Sequence, residues 1–321
     1  MTQYAELPSH IQKRVAEKKQ KLASMGQFTP QRIEEISERM QVDFVYNSNK
    51  IEGSTLSRGE TELVLRGITI GKKSIPEALR GKDLGDILVA QNHSSAINLI
   101  KKIAFDRTYK ISEDDIKKIH GIVLKGVIAS AGQYRSYDLE VKGAGFIPPP
   151  FHDVPKHMKE LLNTLNNNPD ELRPIELAAQ IHYDFSWIHP FVDGNGRMSR
   201  LLLNLILVRN GYPFVVIKNV DKPQYLRALR EMDVSGNFKP FLIYISRCVE
   251  QTLDLYLMSK KPAKKEEEFL PLAKLAKNTP YSAEYLSLLA RKGRIDAIKE
   301  GKTWKSTKKI INTYVKEQKG K

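Results

Sequence analysis

The sequence predicts an all-α fold interrupted by one short hairpin and followed by a small second domain. Apolar residues recur at three- and four-residue spacing through most of the chain, which is the helical rhythm. One Gly- and Pro-rich stretch breaks that rhythm, and a charged, apolar-poor run sets off the last fifth.

The rhythm is clearest over Ile33 to Val45 and Ile87 to Ile103, in an N-terminal helical region spanning residues 1–110. It continues over Ile116 to Val127 and Ile175 to Phe185 in a core spanning residues 111–258. Ser112 followed by Asp115 reads as a helix-starting box, and Gly211 with Pro213 ends a helix running through Leu201 to Arg209. Gly132 to Pro155 alternates weakly, holds Gly143 and Gly145, and runs into Pro148-Pro149-Pro150, so a short exposed hairpin or flap is expected there. Residues 259–268, around Lys260-Lys261-Pro262, read as a linker. Residues 269–321 then read as helix (Leu272 to Ala276), helix (Ala283 to Lys292, capped by Ser282), hairpin (Ile295 to Trp304, turning at Glu300-Gly301) and helix (Thr307 to Lys316).

Hydrophobic residues make up 41% of 321, enough to fill a core for one large domain and a small one. The longest apolar run, Leu201 to Val208, is interrupted by Asn204 and falls far short of the roughly 20 residues a membrane span needs, so no membrane partner is expected. Met1 to Glu6 carries no basic patch followed by an apolar stretch, and a cytoplasmic location is expected. Cys248 is the only cysteine, which excludes an internal disulfide and a cysteine zinc cage; it reads as a core residue. The formal charge of +15 is concentrated at one end: residues 260–321 hold 17 Lys and Arg against 7 Asp and Glu.

Chemistry is concentrated in His189-Pro190-Phe191-Val192-Asp193-Gly194-Asn195-Gly196-Arg197-Met198-Ser199-Arg200. Gly194 and Gly196 let the backbone approach a ligand, and a helix starting near Arg197 aims its unpaired amides and positive dipole end at the same place. Arg197 and Arg200 share a helix face, and planar guanidinium groups suit phosphate oxygens. Two cations at a helix N-terminus are otherwise unfavourable, so a bound polyanion is implied. Asp193 supplies a hard oxygen ligand of the kind that holds Mg²⁺ beside phosphates. His189, with an ordinary pKa of about 6.5, can accept a proton from a hydroxyl at neutral pH. Together these residues describe phosphoryl or nucleotidyl transfer. A Gly-Asn-Gly turn alone is common, but eight specified positions coincide by chance on the order of 10⁻¹⁰ per start site.

The segment resembles the signature of the Fic (Fido) family, His-x-Phe-x-(Asp/Glu)-Gly-Asn-Gly-Arg-x-x-Arg, at every specified position, and wider similarity runs from about Ile111 to Ile245. The resemblance implies a helical core that carries AMP from ATP to a Tyr, Thr or Ser of a protein. His189 would deprotonate the target hydroxyl, Asp193 would bind Mg²⁺, and Gly194, Asn195, Gly196, Arg197 and Arg200 would hold the phosphates. Kinase-like relatives carry Lys where this chain has Gly196, which favours AMP transfer. The flap that aligns the target backbone would be Gly143-Ala144-Gly145-Phe146, and Tyr225 and Asp233 fall where relatives contact adenine and ribose. His182, on an apolar helix face, reads as core.

Upstream, Ser48-Asn49-Lys50-Ile51-Glu52-Gly53 is similar to the family's inhibitory pattern, Ser/Thr-x-x-x-Glu-(Gly/Asn). The resemblance implies that Glu52 reaches Arg200 and takes the room of the γ-phosphate; in some relatives the same glutamate supports removal of AMP. The C-terminal domain is similar to a winged helix-turn-helix module, whose charge suits a phosphate backbone and whose relatives also dimerise. A competing class is therefore a DNA-binding regulator whose nucleotide site is a sensor. A base beside the metal ligand favours the enzyme.

Overall fold

The structure, a computed structural model, describes residues 6–24, 30–69, 79, 81–258, 269–292, 294–300 and 303–319. The apolar rhythm is realised as helices α1 (Ser9–Ser24), α2 (Pro30–Ile51), α3 (Arg58–Thr69), α4 (Leu84–Phe105), α5 (Glu113–Val123), α6 (Val154–Asn167), α7 (Pro174–Ile188), α8 (Asn195–Arg209), α9 (Lys222–Ser235) and α10 (Lys239–Met258). None of the described helices is long and apolar enough to cross a membrane. The Ser112–Asp115 capping box forms as expected, with the serine hydroxyl accepting from Asp115 N–H and the Asp115 carboxylate accepting from Ser112 N–H. α5 stops four residues earlier than its spacing predicts: the Lys125 and Val127 N–H groups tighten onto the Ile122 and Leu124 carbonyls three residues back, and Gly126 takes φ +72°.

α8 is the centre of the molecule. Nearly every residue from Asn195 to Leu207 is buried, as in a helix covered on all sides, with α7, α4 and α2 against it. One apolar core extends from Leu7 in the N-terminal region through Phe44, Ile97, Ile119 and Leu201 to Leu253, and Cys248 lies within it. The N-terminal helices therefore share the core of the segment that follows them. Asn204 is the polar exception in α8: wholly buried, it donates to the Arg200 and Val215 carbonyls at 3.0 and 2.9 Å and accepts from Val215 N–H at 2.6 Å. Asn204→Leu keeps the volume but strands both Val215 groups, and should lower stability by about 2–4 kcal/mol. An unchanged urea midpoint would show these bonds to be dispensable.

The expected flap hairpin is corrected by the structure. Residues 132–150 carry no strand, and Gly143, Ala144, Gly145 and Phe146 form a loop. Ala144 N–H closes a turn on the Val141 carbonyl at 3.1 Å, and Gly145 N–H donates to Asp233 Oδ2 at 3.1 Å. The three prolines that follow lack the N–H groups a strand ladder needs. Ile147 beside them is 81% exposed.

The C-terminal unit has a separate apolar core built on Leu272, Leu286, Leu289 and Ile311. It consists of β1 (Leu270–Pro271), α11 (Leu272–Ala276), α12 (Ala283–Arg291), β2 (Ile298–Glu300), β3 (Thr303–Ser306) and α13 (Lys308–Lys319). The antiparallel sheet has the order β1-β3-β2, with Leu270 opposite Ser306 and Glu300 opposite Thr303. β1, two residues long and ending in proline, left no signal in the sequence. The expected linker 259–268 and Gly301 lie outside the described residues. The unit meets the turn between α2 and α3, where the Ser57 hydroxyl donates to the Ala297 carbonyl at 3.2 Å.

Candidate active site

The site is built at the junction of α7 and α8, and its shape follows from the short connection between them. α7 ends at His189, which takes the left-handed conformation (φ +49°) and donates its backbone N–H to the Phe185 carbonyl at 3.1 Å. A non-glycine residue in that region is uncommon and held by its surroundings. The His189 ring is half-buried, with Nδ1 3.1 Å from the Ser186 carbonyl. A carbonyl can only accept, so that contact assigns the proton to Nδ1 and leaves the Nε2 lone pair available. Burial pushes the His189 pKa below its ordinary value; the Ser186 carbonyl opposes this, Arg135 adds to it, and Glu52 and Asp193 oppose it. The neutral, proton-accepting form therefore dominates at pH 7.

Between the helices, Asn195 grips the loop from both sides: Oδ1 accepts from Phe191 N–H at 3.0 Å and Nδ2 donates to the Phe191 carbonyl at 2.8 Å. Gly194 takes φ +80°, and a Cβ there would lie 2.9 Å from Leu124 Cδ1, so both conformation and space demand glycine. α8 begins with no side-chain cap, which leaves its first amides to an external acceptor. Arg197 reaches back to Asp193, with Nη2 3.0 Å from Oδ2, and its buried Nε has no protein partner. A desolvated donor of that kind fits an oxygen-rich ligand. The Asp193 side chain is 54% exposed and is a single hard carboxylate beside the amides, which fits a Mg²⁺ ion completed by phosphates and water.

Arg200 sits one turn further along α8 and is 1% exposed. Its Nε donates to Ser48 Oγ at 2.8 Å, and Nη2 donates to the Ser48 carbonyl at 3.0 Å and to Glu52 Oε1 at 2.7 Å. The last turn of α2 thus covers the start of α8. A Cβ on Gly196 would lie 2.5 Å from Glu52 Oε1, so the missing side chain is what lets the carboxylate lie across the helix start. Gly53 follows, reversing the chain with its N–H on the Lys50 carbonyl.

A family model, that of the Fic/DOC family, matches residues 110–207. A Fic domain containing signaling protein from Bacteroides thetaiotaomicron is 30% identical, superposes with a TM-score of 0.71, and is covered over 100% of its length by 79% of this chain. The chain belongs to the Fic family. Fic-1 (residues 134–508) from C. elegans is similar at 27% identity and a TM-score of 0.69, over 79% of this chain and 73% of that one. The protein adenylyltransferase Fic of Nematostella vectensis is 36% identical over 217 residues, 67% of this chain and 48% of the relative. The corresponding Drosophila melanogaster protein is 38% identical over 218 residues, 66% of this chain and 41% of the relative. The chain thus spans about half the length of these curated relatives.

Within the Fic site, the structure brings together His189, Asp193, Gly194, Asn195, Gly196, Arg197, Arg200, Ser48 and Glu52. Tyr225 and Asp233, expected at adenine and ribose, have protein partners. The Tyr225 hydroxyl, in a residue 2% exposed, is 2.9 Å from His182 Nε2 and lies close enough to Arg200 to share its field. Asp233 accepts from the Tyr183 hydroxyl at 2.9 Å and from Gly145 N–H, tying α9 to the flap loop; burial raises its pKa. His182 is fully buried, with a pKa lowered by burial to about 3.

Two residues that hold the loop of the site carried no signal in the sequence. His120 Nδ1 accepts from Gly132 N–H at 2.8 Å, so its Nε2 is protonated and donates to the Asp193 carbonyl at 2.9 Å, while its ring stacks on Phe191. Burial lowers its pKa to about 4, which keeps that tautomer neutral. Arg135 holds the other end of the same loop. Each acts on a backbone carbonyl far away in sequence, which no residue pattern marks.

Proposed function

We propose that this Fic protein transfers AMP from ATP to a Tyr, Thr or Ser hydroxyl of a protein, and that Glu52 holds it inhibited. The observation that carries the proposal is the ion pair between Glu52 and Arg200 at the amide-lined start of α8, within the electrostatic reach of a histidine whose Nδ1 is taken by the Ser186 carbonyl. The phosphate chain of ATP would lie across the first amides of α8 with Arg197 and Arg200 on its outer oxygens. Mg²⁺, held by Asp193 and the phosphates, would offset their charge. The acceptor hydroxyl gives its proton to His189 Nε2 as its oxygen bonds to the α-phosphorus, and the bond to the β-phosphate oxygen breaks, releasing pyrophosphate. The loop at Gly143 to Ile147, tied to α9 through the Gly145 amide, exposes the apolar Ile147 side chain, which suits loose recognition of a target segment. Target identity would then depend on other surfaces.

With Glu52 on Arg200, the γ-phosphate loses its guanidinium partner and ATP cannot settle with its α-phosphate aligned. Intact mass of the purified protein after incubation with ATP and Mg²⁺ tests the reaction. AMP addition to the Glu52→Gly chain, absent when His189→Ala is added, is the expected result. Failure of that chain to modify either itself or any protein of a soluble lysate would count against transferase activity.

The C-terminal unit supports a second partner. α12 exposes Tyr285 and Leu288, and Arg291, Lys292 and Arg294 follow at its exposed end, in a segment with a large basic excess. Duplex DNA is the polyanion that a helix–helix–hairpin–helix unit of this charge fits. A random duplex should be retarded at low salt by the full chain and not by residues 1–265, with affinity falling as salt rises. No retardation at low salt would end this assignment.

A further inference from the structure

Arg135 is fully buried in its side chain, yet among the described residues the carboxylate paired with it is only Asp138, 3.5 Å away and 69% exposed. A cation kept inside a protein for stability alone is ordinarily placed against a buried carboxylate, since desolvation is costly. Here the guanidinium donors go to carbonyls instead. Nε donates to His189 at 2.9 Å, Nη1 to Tyr137 at 3.1 Å, and Nη2 to Pro149, while the Arg135 backbone N–H donates to Pro190 at 2.9 Å. One planar fork therefore spans both sides of the site. On one side is the left-handed His189 with Pro190; on the other are the two ends of the loop that includes Gly143 to Ile147.

We propose that Arg135 is a positioning residue for transfer, holding the His189 backbone and the flap loop in one grip so that the basic nitrogen and the acceptor segment keep a fixed separation. The proposal rests on the assignment of His189 as base. The strained backbone of His189 supports it, because a residue with φ +49° needs its carbonyl held on the outside of the turn, and Arg135 Nε does so. The neighbouring contacts point the same way. Gly132, three residues before Arg135, donates to His120, which holds the Asp193 carbonyl. The segment Gly132–Arg135 thus secures both ends of the His189–Asp193 loop from one side.

The test uses the full chain carrying Glu52→Gly, with Arg135→Gln or Arg135→Lys added. Gln removes the charge and most of the fork; Lys keeps the charge but cannot span the carbonyls in one plane. Both should lower kcat about 10- to 100-fold, the scale of a sub-ångström to one-ångström misplacement, with KM for ATP within about twofold. A second readout is independent of turnover: the His189 ring signals followed by NMR from pH 4 to 8. The charged and polar groups facing that ring are Arg135, Glu52, Asp193 and the Ser186 carbonyl. Since Arg135 disfavours the imidazolium, the His189 titration should move to higher pH in the Gln variant. It should stay near that of the Glu52→Gly parent in the Lys variant, although ring shifts change in both.

Full kcat in either folded variant overturns the proposal, as do His189 ring signals unaltered by both. Loss of rate that only follows loss of ATP binding and melting temperature in both variants also overturns it, leaving a purely structural arginine. If the Glu52→Gly parent itself transfers no AMP, the assigned reaction fails, and the NMR arm still decides whether Arg135 places His189.

Discussion

Replacing Glu52 with glycine should raise the initial rate of AMP transfer by about 10- to 100-fold at ATP concentrations below saturation. That range follows from the contact the γ-phosphate would have to displace. Arg200 is buried, and its bond to Glu52 Oε1 at 2.7 Å is charge-assisted, a class worth about 1.5–3 kcal/mol. Each 1.4 kcal/mol is about tenfold in affinity, so freeing the guanidinium gives one to two decades. The Glu52→Gly protein should remain folded, because Ser48 still accepts from Arg200 through both its hydroxyl and its carbonyl. Glu52→Gln separates charge from bulk: it removes the ion pair but keeps atoms over Gly196, so its rate should fall between parent and Gly. Equal initial rates for parent and Glu52→Gly, measured with α-phosphate-labelled ATP, would dismiss the brake.

The sequence makes the proposed chemistry of α8 readable because those residues would act on a ligand through their own types and spacing. Histidine, carboxylate, glycines and two arginines within twelve positions leave few other uses. The partner of Arg200 is different: 148 residues separate it from Glu52, and physical spacing alone gives no reason to join them. Only similarity to the family's inhibitory pattern pointed there. His120 and Arg135 stayed invisible for a deeper reason, since their partners are the carbonyls of Asp193, His189, Tyr137 and Pro149, and every residue has a carbonyl.

The fold shows the same division. Helices with caps written locally, such as Ser112–Asp115 and Ser282 before α12, begin where the sequence puts them. The flap does not, because alternation weak enough to suggest a hairpin fails when prolines remove ladder donors and Asp233 takes the Gly145 amide. β1 exists only because β3 is there to pair with it. Pairing of that kind is a tertiary fact, absent from a two-residue window.

His189→Ala, in the Glu52→Gly background, should lower AMP transfer by about 10²- to 10⁴-fold while leaving ATP affinity within about twofold. In the proposed reaction nucleotide binding would depend on the α8 amides, Arg197 and Arg200, whereas the hydrogen bond of the His189 ring among the described residues is to Ser186. Titration calorimetry and labelled-ATP rates on the same preparation separate the two quantities. The pH dependence adds a sign. A base works deprotonated, so kcat/KM should fall with decreasing pH through the free-enzyme pKa of His189, and burial places that value below 6.5. Glu52 and Asp193 favour the imidazolium, so removing Glu52 should shift the acid limb to still lower pH than in the parent. A second fall near pH 4 would report protonation of His120 and loosening of the Asp193 loop. An acid limb above 6.5, or a His189→Ala protein as fast as its parent, would remove His189 from the chemistry and leave a nucleotide-binding site whose occupancy is the signal.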